Sequence, residues 1–154
     1  MSLECELTER RAQSAVALRT RTPQPNLSTI LGPMFGRLAN YIVQCGENPA
    51  GAPYIAYYNM DMQDLDIEVG FPVTKPLPAQ GDFRPVDLPA GPCATLIYKG
   101  PYSGLGSAYN TLTEFVRAQG RVPTGASYEF YLNDPSEVPP EELLTQIVYY
   151  LEPA

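Results

Sequence analysis

One acidic side chain stands where a carboxylate is costly to keep. In the run Ser127-Tyr128-Glu129-Phe130-Tyr131-Leu132, alternation puts Tyr128, Phe130 and Leu132 on one strand face and Glu129 and Tyr131 on the other. Asn133-Asp134-Pro135 follows with turn chemistry that ends the strand. A carboxylate among aromatic rings is poorly solvated, so its pKa rises unless a cation compensates it. Such a group has two chemical uses. It can be the counter-charge of a bound cation, with tyrosine rings adding cation–π attraction of about 0.5–2 kcal/mol each. It can also be a general acid or base, with a tyrosine hydroxyl as hydrogen-bond donor. The plain alternative is a solvated residue on the open face of a half-buried sheet.

Other chemistries are thinly supplied. The 154 residues contain no histidine, which removes Ser-His and Cys-His triads, His-type zinc sites and His general bases. Cys5, Cys45 and Cys93 lie far apart and form no Cys-x-x-Cys motif, so no metal and no cofactor is expected. With no secretory signature, the cysteines read as reduced thiols of a cytoplasmic protein. The formal net charge is −7, and the only local basic grouping is Arg10-Arg11, with Arg19 and Arg21 later. A phosphate-binding surface wants clustered Lys and Arg, so direct nucleic-acid binding is not expected. No apolar run approaches the roughly 20 residues of a membrane-spanning helix.

The elements that must position Glu129 come in a recurring order. A strand is predicted over about residues 13–22, closed by Thr22-Pro23-Gln24-Pro25-Asn26. Helical spacing follows over 28–45, with Leu31, Phe35, Leu38, Tyr41, Ile42 and Cys45 in one stripe, Ser28 as cap and Gly46 as stop. Pro33 is awkward inside it, so the helix is expected to start near Gly32-Pro33 or to open with an irregular turn. Strands are predicted over 54–59 and 66–73, and residues 74–82 read as a linker. The second half restarts: a strand within 87–98, a helix over 103–119 capped by Ser103 and stopped by Gly120, and strands over 128–133 and 144–151.

Sliding the sequence by 74 positions lays one half on the other. Gly46 falls on Gly120, Tyr54 on Tyr128, Tyr57 on Tyr131 and Asn59 on Asn133, and Phe35 falls on Tyr109. The reading is one α+β domain of two β-α-β-β repeats, about 4–74 and 83–152. Antiparallel sheet carries two helices on one face, and a ligand cleft lies at the pseudo-twofold. Within this duplication Glu129 falls on Ile55. One copy carries a carboxylate where the other carries an aliphatic, and packing alone has no need of that difference.

The remaining candidates are placed by phase. Tyr57 and Tyr131 share the strand face of Ile55 and Glu129. Glu68, with Asp66, lies opposite Ile67, Val69 and Phe71, on the second face of its strand. Tyr98 and Tyr149 are further candidates for the aromatic wall, as are Tyr102 and Tyr150. The helix-stripe residues Phe35 and Tyr109 are cleft candidates of lower rank, expected in the core rather than the pocket. Arg19 and Arg21 are expected to decorate an exposed strand face.

Several motifs together carry a family resemblance. They are Asp66-Ile67-Glu68-Val69-Gly70-Phe71-Pro72-Val73, Leu88-Pro89-Ala90-Gly91-Pro92, Tyr98-Lys99-Gly100-Pro101-Tyr102, and Tyr128 to Pro135 followed by Pro139-Pro140-Glu141-Glu142-Leu143-Leu144. In this order they span nearly the whole chain. The chain resembles the GyrI-like small-molecule-binding domains, the effector-binding domains of MerR- and AraC-type multidrug-responsive transcription regulators. The resemblance implies a duplicated fold with an aromatic cleft, in which the glutamate matched by Glu129 meets the charge of lipophilic cations. Together with the residues placed by phase, the expected binding set is Glu129, Tyr131, Tyr57, Ile55, Glu68, Tyr98 and Tyr149. The alternatives it implies are hydrolysis of cyclopropane-bearing toxins in the same cleft, by Glu129 and a tyrosine, and an interaction role with gyrase or a separate regulator. The repeat begins by about residue 13, which leads to the expectation of a standalone member with no helix-turn-helix domain.

Overall fold

The computed structural model describes residues 4–153. In chain order the elements are β1 (Cys5–Arg10), β2 (Gln13–Thr22), α1 (Leu27–Gln44), β3 (Tyr54–Tyr57), β4 (Leu65–Pro72), β5 (Arg84–Leu88), β6 (Gly91–Lys99), α2 (Leu105–Ala118), β7 (Pro123–Tyr131) and β8 (Leu144–Leu151). They form two compact units. One is residues 12–89, with strand order β3-β4-β2-β5 and α1 packed on β4 and β2. The other joins β1 to the residues from Ala90 onward, with strand order β1-β6-β8-β7 and α2 packed on β6. Strand pairing inside each unit is antiparallel. The α+β character predicted from the repeat is observed.

Each repeat carries one strand more than the sequence pattern shows. β1 and β5 precede the predicted strands, and each pairs across the repeat: β1 with β6, and β5 with β2. Neither strand alternates clearly. Four of the six residues of β1 are exposed in a row, and β5 carries Pro85, which a strand tolerates at an edge. The compact units therefore differ from the consecutive segments 4–74 and 83–152 by the exchange of these two strands.

Both helices start in the same way. Pro23 and Pro101 hold extended backbone, a 3-10 turn follows (Gln24–Asn26 and Tyr102–Gly104), and the helix begins at Leu27 or Leu105. Ser28 and Ser103 are not caps: the cap positions are Asn26 and Gly104, and neither makes a side-chain cap bond. The Pro-initiated turn does that work instead. Pro33 lies inside α1, which runs through it with the loss of one backbone bond. The ends match the prediction. Gly46 (φ 79°) and Gly120 (φ 67°) take the left-handed conformation, and the next residues, Glu47 and Arg121, donate back to the Ile42 and Val116 carbonyls at 3.1 Å.

The two helices differ in length, 18 residues in α1 and 14 in α2. The four extra residues make about one turn, so the apolar stripe stays in phase. The single 74-residue offset thus fits the helix ends and the strands after them, but not the helix starts. In the unit containing α2, Ala108, Leu112 and Val116 pack on Leu96 and Ile147. In the other, α1 buries Leu38, Tyr41 and Ile42. No helix among the described residues is long and apolar enough to cross a membrane.

Candidate binding site at Glu129

Glu129 sits on β7 directly opposite Ile147 of β8. Ile147 belongs to the core under α2, so the Glu129 side chain faces the helix-covered side of the sheet. It is 5 % exposed. Two tyrosines hold it. Tyr109, projecting from α2, donates its hydroxyl to Oε2, and Tyr131, two residues along β7, donates to Oε1 at 2.7 Å. Burial pushes the Glu129 carboxyl above its ordinary value of 4.5, while the two phenolic donors favour the charged form and oppose that rise. Among the described residues no ion pair reaches Glu129.

Further rings close around the carboxylate. Tyr149 lies 6.2 Å from Tyr109 between ring centroids, tilted by 35°, and its hydroxyl is 3.2 Å from Thr113 Oγ1. Tyr102 meets Tyr131 edge-on at 5.8 Å. Both phenols are pushed up, first by burial and also by the negative charge of Glu129. The arrangement is one buried carboxyl group held by Tyr109 and Tyr131, each of which is in turn met by a further tyrosine ring, Tyr149 and Tyr102.

The sequence-predicted residues divide between the units. Glu129, Tyr131 and Tyr149 come together here. Tyr98 makes no hydrogen bond to Glu129; its hydroxyl donates to the Pro101 carbonyl at 2.9 Å. Ile55, Tyr57 and Glu68 belong to the unit of residues 12–89. There Ile55 is fully buried, and Glu68 is paired with Ala56 on the opposite face of the strand, as its phase predicts. Glu68 is buried, and it accepts from Tyr54 at 2.8 Å and Tyr58 at 3.3 Å.

Sequence reasoning ranked Tyr109 as core before cleft; its ring packs against the core under α2, and its hydroxyl is also a direct partner of Glu129. The signal was present in the repeat. At the offset that lays Ile55 on Glu129, Phe35 falls on Tyr109 and Ala39 on Thr113. Strand pairing extends the series, because Ile55 opposes Val69 as Glu129 opposes Ile147, which lays Phe71 on Tyr149. Phe35 and Phe71 make an edge contact at 5.6 Å, the apolar counterpart of the Tyr109–Tyr149 pair. Four matched positions are hydrocarbon in one unit and polar in the other. The other unit packs without the carboxylate and without the hydroxyls of Tyr109, Thr113 and Tyr149, while Tyr57 keeps the hydroxyl matched to Tyr131.

Residues 3–150 match the GyrI-like small molecule binding domain. The chain belongs to this family. No curated protein shows significant similarity to it in sequence. Among solved structures, the C-terminal domain of EcmrR superposes with a TM-score of 0.82 at 22 % identity, covering 100 % of both chains. EcmrR in its DNA complex gives 0.86 at 21 % identity over 99 % of this chain. This chain spans 58 % of that one. SAV2435, solved bound to tetraphenylphosphonium, gives 0.68 at 9 % identity, covering 97 % of this chain and 94 % of its own. At such identities the likeness is one of fold. GyrI-like architecture is thereby established over residues 3–150.

Proposed function

We propose that this GyrI-like domain captures lipophilic cations, with Glu129 as counter-charge and Tyr102, Tyr109, Tyr131 and Tyr149 as the wall. One observation carries the reading: a buried carboxylate gripped by two hydroxyl donors, with no cation paired to it among the described residues. The tyrosine bonds keep the charge tolerable without neutralising it. A cation seated against the rings relieves the desolvation cost of the carboxylate and gains cation–π attraction as well. An apolar cation fits this best, because it gives up little hydration on entering. SAV2435, of the same fold, holds tetraphenylphosphonium, a cation of that class.

Calorimetry with tetraphenylphosphonium tests the reading, with triphenylphosphine oxide as the neutral aryl control. Glu129→Gln keeps the shape and removes the charge. It is expected to weaken tetraphenylphosphonium by about tenfold or more, a loss of roughly 1.4 kcal/mol per decade, and to leave the control within twofold. Equal binding of the phosphonium by both proteins would refute the counter-charge role.

A further inference from the structure

The geometry points to Tyr98 as a positioning residue for the Glu129 site, acting through the turn that carries Tyr102. This rests on the proposed capture of cations at Glu129. Tyr98 lies at the end of β6, and its hydroxyl reaches three residues forward and donates to the Pro101 carbonyl at 2.9 Å. Pro101 is followed at once by Tyr102, the first residue of the 3-10 turn that opens α2. The Tyr102 ring then lies edge-on to Tyr131, which donates to Glu129. A chain of direct contacts therefore runs from Tyr98 to the buried carboxylate.

Two glycines make room for this clasp. A Cβ on Gly104 would stand 2.0 Å from Tyr98 Oη and 3.0 Å from Cζ; one on Gly100 would stand 2.8 Å from the same Oη. The ring occupies a slot that side chains at either position would fill. The other unit has no such device. Thr20 opposes Ile67 as Tyr98 opposes Thr145, and the matching turn reads Thr22, Gln24 and Asn26 where this one reads Gly100, Tyr102 and Gly104. There the same Pro-initiated turn forms without tyrosine or glycine. The helix start does not need the clasp, so what the clasp fixes is the placement of Tyr102 beside Glu129.

The chain has no tryptophan, so Tyr102→Trp installs a single indole reporter on the turn. Tyr98→Phe removes only the hydroxyl; Gly104→Ala puts a methyl group against it. Both are expected to redden the emission of the indole introduced at position 102 and to lower its anisotropy. In the native background both are expected to weaken tetraphenylphosphonium by about threefold to tenfold, the worth of one hydrogen bond. Deleting the hydroxyl also clears space for the methyl group. Gly104→Ala should therefore cost less in the Tyr98→Phe background than alone, a rescue that general loosening would not produce. Unchanged emission and binding in folded Tyr98→Phe, or strictly additive effects in the double variant, would overturn the assignment. If the native protein binds no phosphonium while the reporter shifts and the rescue appears, the positioning stands and the cation reading falls.

Discussion

Glu68 and Glu129 are both buried, and each accepts hydrogen bonds from two tyrosines, one carboxylate in each unit. Their surroundings then part. Arg19 stands opposite Glu68 in the strand register, its guanidinium 4.1 Å over the Tyr58 ring and bound to Asp66 at 2.6 and 2.9 Å. Glu68 thus stands beside a ladder of ion-paired charges, Arg19, Asp66, Arg21 and Asp64, while it forms no ion pair of its own among the described residues. Glu129 has tyrosines around it and no cation within the described residues. The same acid–tyrosine grip stands beside an ion-pair ladder in one unit and among further tyrosine rings in the other, where the proposed function seats a cation. A buried carboxylate is therefore informative only together with what compensates it.

The largest effect separating the two comes from removing each acid. Glu68→Leu takes the acceptor from the Tyr54 hydroxyl, whose residue is fully buried, and takes a negative neighbour from Arg19. We expect a loss of about 2–3 kcal/mol in urea unfolding, the cost of removing a buried acceptor from two phenols and a negative neighbour from Arg19. Glu129→Ile installs the residue found at the matched position of the other unit. It removes a desolvated charge, and the half-buried Tyr109 and Tyr131 can turn to water. Its unfolding free energy should stay within about 1 kcal/mol of native, while cation binding is lost. Equal destabilisation by the two substitutions would dissolve the distinction between a structural and a functional acid.

A second substitution sharpens the structural side. Tyr54 lies flat over Gly70, its register partner: a Cβ there would meet the ring at 2.7–2.8 Å. The matched pair in the other unit is Tyr128 opposite Val148, where the tyrosine ring instead stacks near Phe130 and meets Tyr150 edge-on. Glycine is what lets Tyr54 reach Glu68. Gly70→Ala should overpack that contact and cost about 1–3 kcal/mol. Thermal unfolding of the variant measures it, and an unchanged midpoint would mean that the grip on Glu68 is loose.

Much of this was legible in the sequence because it rests on local rules. Alternation assigned Glu129 and Glu68 to their faces, and Gly46 and Gly120 marked both helix ends. The repeat exposed Ile55 against Glu129. β1 and β5 were hidden because edge strands need no buried face and so carry no alternating signal. Helix caps were misassigned to Ser28 and Ser103 because a Pro-initiated turn leaves no recognisable cap residue. Tyr109 ranked below the strand tyrosines for a different reason. Its ring satisfies the helix stripe, and a phenylalanine would too; only comparison with Phe35 separates the ring from its hydroxyl. Glu68 read as a solvated acid or a ligand residue, since the Arg19 opposite it depends on strand register, which phase alone does not supply.

The smallest effect, and the most selective, is in the pH dependence of stability. The folded carboxyl of Glu129 titrates above 4.5, raised chiefly by burial. Below that ordinary value both folded and unfolded chains carry the proton, and the contribution to stability is fully present. As pH rises from there, the unfolded chain ionises first and the folded state holds the extra proton, so stability is lost until the folded carboxyl ionises too. Native protein should therefore lose stability relative to Glu129→Gln across this window and then level off, because the phenols that feel the Glu129 charge titrate far above it. Chemical denaturation at steps from about pH 4 upward, with both proteins in parallel, measures the difference. A cation bound to the ionised form opposes the trend, so saturating tetraphenylphosphonium should flatten the native curve, and phosphonium affinity should rise over the same window. A difference curve sloping the other way would mean that Glu129 is stabilised as an ion in the free protein.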